Sequence, residues 1–453
     1  MNFKKILKSK TMIYWIVFIL YAILNFVLTL LHEPWRDEIH AWLMAKELSV
    51  INLFIESRFD GHPILWHLIL MPFAKLNFPI ITLNIISYLI ILISAWLFLF
   101  KTNLPLPVKL FALFTIPFTY TYSAFSRNYS LIILLLIIIG IFYNQKHKHP
   151  IFYSILICLL IHTHSLAWGI VAGLTITFHF YEIFLWFKKK NCVDIKYIIV
   201  SLLLIIANTL LVVFELFGTS NINYFSITSD YIIKISCIIG LALLLLLLYT
   251  IFILKNNYKE FIILTFSFAF QILIYNFVYS SILYQRYILF FALILFYLIL
   301  VSSTTNIDNL KYFILCLAFL FITILFGIQE FTQTLTKDLF EPYSSAKEMA
   351  AFINENVPSD TSILIDASVI GQSIIPYLDD GYSLYDISYN EPVTCANVAY
   401  DYKLINSSLS DINRYNGRYL IICNSLKDLD NCELLYTSTI PMVNEYFSLY
   451  YVK

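Results

Sequence analysis

Apolar runs recur along this chain at about 12–31, 79–100, 106–125, 128–144, 150–165, 166–187, 197–217, 231–254, 260–280, 284–302 and 311–330, parted by short polar breaks. Most approach the roughly 20 apolar residues that a helix needs to cross a bilayer, which predicts about eleven spans. A further run, Pro63 to Leu76, is about 14 residues and reads as an interfacial or re-entrant helix. From about Phe331 the pattern changes. Pro342 to Asn356 reads as a helix, with Ser345 and Glu348 spaced for a capping box. Ser362 to Ala367, Tyr419 to Cys423 and Tyr446 to Val452 read as strands. The expected fold class is mainly α: a polytopic transmembrane helical bundle over 1–331, carrying a first external loop at 32–78, then a small external α/β domain over 332–453.

Composition supports a membrane class, with 60% hydrophobic and only 13% charged residues and a mean hydropathy of +0.78, outside the range of soluble domains. The first run is too long for a signal-peptide core and no small-residue cleavage site follows it, so it reads as a retained anchor. Zero net charge bears little on orientation, which depends on where Lys and Arg lie. With the N-terminus inside, the cytoplasmic loops hold Lys4, Lys5, Lys8, Lys10, Lys101, Lys109, Lys146, Lys148, Lys188, Lys189, Lys190, Lys196, Lys255, Lys259 and Lys311. That is the positive-inside bias, and it puts the tail outside. The four arginines before the tail, Arg36, Arg58, Arg127 and Arg286, all fall on the outer side. Arg suits bidentate binding of phosphate or carboxylate, so an anionic ligand at the outer face accounts for the split. Contact with lipid headgroups is the plainer alternative.

The first external loop opens on Trp35-Arg36-Asp37-Glu38-Ile39-His40. Charge so close to hydrocarbon is costly, which makes this cluster a candidate active site. Adjacent carboxylates on a helix point about 100° apart, so Asp37 and Glu38 suit divided duties rather than a shared proton. A solvated helix start, where acids favour the dipole, is the bland reading. Arg58, Asp60, Gly61, His62 and Pro63 follow, with His62 at a helix start that favours anions. Arg127 and Tyr129, and then Arg286 and Tyr287, occupy two later outer turns, where an Arg needs an anionic partner. His162 and His164 are candidate metal ligands, an incomplete set that Asp37, Glu38 or His62 has to complete. The seven Cys lack metal-ligand spacing. There is no Walker A loop, Rossmann glycine pattern, nucleophile elbow or zinc helix, and nothing implies nucleic acid.

The Asp37-Glu38 pair after the first span, Gly61-His62-Pro63-Ile64-Leu65-Trp66, Arg127-Asn128-Tyr129 and Arg286-Tyr287 together resemble the GT-C superfamily of polytopic glycosyltransferases. The resemblance is to its dolichyl-phosphate-mannose protein mannosyltransferase-like branch in bacteria. Ile64 and Ser126 depart from the family's usual Pro and Ala. The resemblance implies transfer of a sugar from a polyprenyl-phosphate donor to a glycan, lipid or protein acceptor at the outer face of the plasma membrane, in building the cell envelope. It implies Asp37 as general base and Glu38 as orienter of acceptor or cation. Arg127 and Arg286 become ligands of the lipid phosphate, and His62 a support for donor or base. Arg36, Arg58, Tyr129 and Tyr287 complete the candidate substrate-binding set. No cofactor is certain; a divalent cation is the candidate.

Two other classes remain open. A transporter or flippase of an anionic lipid or saccharide should carry polar breaks at mid-membrane, for which Glu215 and Asn208 are the candidates. A non-catalytic assembly protein should tolerate Asp37→Asn.

Overall fold

The computed structural model describes residues 10–60, 62–190, 193–216, 258–274, 284–302, 309–387, 391–395 and 414–453. The run expected at 231–254, the end of the run at 260–280, Gly61, and Lys4, Lys5, Lys8 and Lys255 lie outside the described residues. Among the described residues the chain is mainly helical, with one small sheet. Among the described residues four helices are long and apolar enough to cross a membrane: Thr11–Leu31, Ile81–Lys101, Ser165–Phe187 and Ile195–Leu216. The first, α1 (Lys10–Leu31), has 22 residues, about 33 Å at 1.5 Å per residue. That matches the hydrocarbon core.

The run expected as one span at 106–125 is broken. A helix covers only Leu106–Leu113, and a π turn follows at Pro117–Thr121. Pro117 has no amide hydrogen to continue the ladder. The turn closes instead through Tyr122 N, which donates to the Pro117 carbonyl at 2.8 Å.

Contacts divide the chain into two compact units. One takes in Met1–Phe26, Tyr88–Ser123 and Asn128–Phe331. In its core the Phe118 ring lies 4.7 Å from Phe296 and 5.9 Å from Phe319, and the Tyr21 hydroxyl donates to the Phe118 carbonyl at 2.7 Å. Gly169 and Gly173 share one face of helix Trp168–Thr175. A Cβ on them would stand 2.3 Å from the Ser267 carbonyl and 2.2 Å from Ser267 Oγ. Their lack of side chains lets helix Tyr258–Leu273 approach at backbone distance, as small residues do between membrane helices.

The other unit takes in Val27–Ser87, Ala124–Arg127 and Thr332–Lys453, so the tail read as 332–453 shares its unit with the loop after α1. That loop folds into α2 (Arg36–Glu47), α3 (Val50–Asp60) and α4 (Leu65–Lys75). α4 has 11 residues, about half the length needed to cross. Ile39 and Leu43, four apart on α2, pack with Met44 against Ile64, Leu68 and Met71 at α4, each set a stripe at helical spacing.

The tail forms a five-stranded sheet ordered β2 (Ser383–Asp386), β1 (Ser362–Ile365), β3 (Tyr419–Cys423), β5 (Phe447–Val452), β4 (Cys432–Thr437). β1 runs parallel to β2 and β3, and β5 antiparallel to β3 and β4. Ile363, Ile365, Ile421 and Leu449 pack against Met349, Ala350 and Ile353 of helix Ala346–Asn356, while Leu364, Leu420 and Ile422 line the other face. This is the period-two alternation of strands.

The expected capping box does not form. Ser345 Oγ donates to the Thr439 carbonyl, and Glu348 accepts from Tyr436 Oη and Thr439 N. Both side chains serve long-range contacts instead of the helix's own amides. The described cysteines Cys158, Cys316, Cys395, Cys423 and Cys432 are free thiols.

Candidate functional site

The site begins where α1 ends. His32 is buried and faces two carboxylates, with Nδ1 2.8 Å from Asp338 Oδ2 and Nε2 3.0 Å from Glu38 Oε2. A ring with a carboxylate at each nitrogen is an imidazolium that donates twice. Burial works against that charge, but Glu38 and Asp338 override it and push the ring up to about 10.

Glu38, at the third position of α2, reaches back to accept from Trp35 N at 3.1 Å, half of a capping box. Its other oxygen accepts from Ser126 N. The residue is 0% exposed. Both oxygens of Glu38, which the resemblance assigns to orienting an acceptor or a cation, bond to groups of the protein itself. Asp37, turned about 100° away on the same helix, keeps 30% of its side chain exposed. The divided environments of the pair follow from that angle.

Arg127 arrives on a pinned segment. Ser126 Oγ donates to Asn84 Oδ1 at 3.1 Å, and Asn84 Nδ2 donates to the Thr29 and His32 carbonyls at 3.3 and 3.2 Å. Arg127 Nη1 then donates to Asp37 Oδ2 at 2.8 Å, and Nη2 to His62 Nε2 at 2.8 Å. A guanidinium only donates, so Nε2 accepts and the His62 proton sits on Nδ1. That nitrogen donates to Asp60 Oδ2 at 3.1 Å.

His40 Nε2 and His67 Nε2 each stand 3.7 Å from the Asp60 carboxylate. Burial alone would raise the Asp60 carboxyl. The His62 ring and its hydrogen bond, with His40 and His67, hold it well below the usual range instead. His67 is pushed down to about 4, chiefly by burial, and stays neutral. The result is a continuous array, Asp37–Arg127–His62–Asp60, within one unit.

Arg36 Nε lies 3.5 Å from Asp37 Oδ1 and 3.6 Å from Glu445 Oε1, and Arg36 N donates to both Glu445 oxygens at 3.2 Å. Burial pushes Glu445 up to about 7 against the pull of Arg36 and Ser344. Glu33, which accepts from Lys347 N at 3.1 Å, is likewise raised by burial to about 7. A carboxyl raised on folding holds its proton more tightly in the folded state, so stability falls as pH climbs from its ordinary 4.5 to about 7. Glu33→Gln is therefore expected to shrink the drop in unfolding temperature between pH 5 and pH 8 in detergent. An unchanged drop would show that Glu33 plays no part in it.

The other candidate residues stand elsewhere. Arg58 lies half-buried in the last turn of α3. Tyr129, His162 and His164 belong to the other unit, where the Tyr129 ring stands 5.3 Å from His164. The candidate metal ligands His162 and His164 have separate partners. His162 Nε2 lies 3.1 Å from Asn208 Oδ1 and Nδ1 3.5 Å from Glu215, whereas His164 Nδ1 accepts from Leu166 N at 3.0 Å. Among the described residues no group of three His, Cys, Asp or Glu is placed to hold an ion. Arg286 and Tyr287 open helix Tyr284–Ser302, and their side chains lie outside the described residues.

Sequence reasoning missed Asp338, Gln372 and Glu445, which sit in an ordinarily polar tail and carry no local signal. His67 was within reach, as a histidine inside the apolar run of α4. Chemically, the site offers one partly exposed carboxylate, a fixed cation beside it, and a buried scaffold behind both. No protein-family model and no curated protein matches the chain.

Proposed function

We propose that this chain is a membrane glycosyltransferase. It moves a sugar from a polyprenyl-phosphate-linked donor to a glycan, lipid or protein acceptor at the outer face of a bacterial plasma membrane. The observation that carries the reading is Asp37, partly exposed and bonded to Arg127 at 2.8 Å while its neighbour Glu38 is sealed inside. Asp37 takes the proton of an acceptor hydroxyl as its oxygen attacks the anomeric carbon. Arg127 offsets the charge that builds on the departing lipid phosphate, a role that the resemblance assigns to Arg286 as well. His62, anchored by Asp60, keeps the Arg127 fork oriented. The GT-C-like architecture of about eleven spans, a cytoplasmic N-terminus and an external tail belong to this proposal.

Transport of an anionic lipid or saccharide is the second reading. One contact favours it: His162 meets Asn208 and Glu215 of the apolar helix Ile195–Leu216, and ionisable groups within membrane helices often line a pathway.

Membranes containing the chain, supplied with a panel of polyprenyl-phosphate-linked sugars and mixed acceptors, are expected to release polyprenyl phosphate. Saturable donor binding with movement across the bilayer and no release would favour transport. Neither binding nor release with any donor would remove both readings.

A further inference from the structure

Asp37 is flanked on both sides by residues that the distant tail holds in place. On one side, Arg36 N, the first amide of α2, is taken by both oxygens of Glu445 at 3.2 Å, and Glu445 is only 1% exposed. On the other side, Glu38 is bound to His32, whose second nitrogen is held by Asp338 at 2.8 Å. Further along the helix, His40 Nδ1 meets Gln372 Oε1 at 2.9 Å, and Cys395 N donates to Glu47 at 3.0 Å.

The first amides of a helix have no partner inside it, and the dipole there favours a negative group. Glu38 satisfies the amide of Trp35, and Glu445 satisfies that of Arg36, across 409 positions of sequence. The orientation of the first turn, and with it the direction of the Asp37 side chain, is thus set in part from outside α2, by Glu445 directly and by Asp338 through His32. Arg127 meets Asp37 in that direction.

We infer that Glu445 and Asp338 are positioning residues for Asp37, fixing the turn that aims it at Arg127. The inference rests on the proposed role of Asp37. Neither residue touches a reacting atom in that role. A displacement of about 1 Å at a catalytic group is enough to cost on the order of 100-fold in rate, so small shifts of this turn matter.

The test uses the full-length protein with Glu445→Ala, Glu445→Gln and Asp338→Asn. Glu445→Ala is expected to lower kcat by about 10- to 100-fold while the KM for the donor stays within about twofold. Glu445→Gln is expected to restore part of the loss, because its carbonyl oxygen still accepts from Arg36 N. A merely structural role would not separate kcat from KM in this way. The second readout is amide hydrogen exchange. Exchange at residues 33–40 is expected to quicken in Glu445→Ala and Asp338→Asn, with residues 195–216 unchanged. Unchanged exchange at 33–40, or equal acceleration along the whole chain, overturns the inference, as does an unchanged kcat in Glu445→Ala. If the wild-type chain turns over no donor, the transferase reading falls, and the exchange data still decide whether the tail fixes this turn.

Discussion

Asp37→Asn is expected to lower kcat by about 10²- to 10⁴-fold, the usual contribution of a general base, with donor affinity retained. The substitution keeps the shape of the side chain and an oxygen that can accept from Arg127 Nη1, which lies 2.8 Å from Asp37 Oδ2. It removes the negative charge that pairs with Arg127 and, with it, the ability to take a proton. A loss in kcat with an unchanged KM marks an interaction made in the transition state alone. Glu38→Gln should behave differently. Glu38 is 0% exposed and meets the His32 imidazolium at 3.0 Å, so losing its charge is expected to show as a lower unfolding temperature. Similar kcat losses in both variants, at equal stability, would mean that the two carboxylates share the chemistry after all.

The second large effect concerns His32. Its ring stands between Glu38 and Asp338, at 3.0 and 2.8 Å, with all three side chains almost without exposure. His32→Ala leaves two buried carboxylates uncompensated, an arrangement that costs about 3–5 kcal/mol. The pH dependence follows from the direction of the shift. The ring rises from its ordinary 6.5 to about 10 in the folded protein. Its contribution is therefore full below about 6.5, shrinks as pH rises, and is gone above about 10. Unfolding temperatures in detergent should fall across that window for the wild type and change far less for His32→Ala. Equal stability of the two proteins at pH 6 would remove the imidazolium from the account.

Several parts of this arrangement are legible in the sequence, each for a local reason. The start of α2 stands out because charge follows directly on an apolar run, and the differing exposure of Asp37 and Glu38 follows from helical geometry. β1, β3 and β5 were readable because these interior strands are hydrophobic at all but one position or fewer. β2 and β4 were not, since they lie at the edges of the sheet and need less apolar surface. The break in 106–125 turns on Pro117, whose effect the apolar run around it concealed. Ser345 and Glu348 matched a capping pattern but found long-range partners instead. His162 and His164 are close in sequence, but His162 meets Asn208 and Glu215 of a distant helix, which left no local trace, while His164 bonds the nearby Leu166 amide. The tail residues that clamp α2 were the least legible. A glutamate 409 positions from its amide partner belongs to no period or motif, and only the fold brings the two together.

One comparison tests the role of Asp37 most directly: donor binding and polyprenyl-phosphate release, measured on the same preparations of wild type and Asp37→Asn. The prediction is equal donor binding, with release from the wild type and almost none from the variant. Undiminished release from Asp37→Asn would contradict it and move the chemistry away from Asp37.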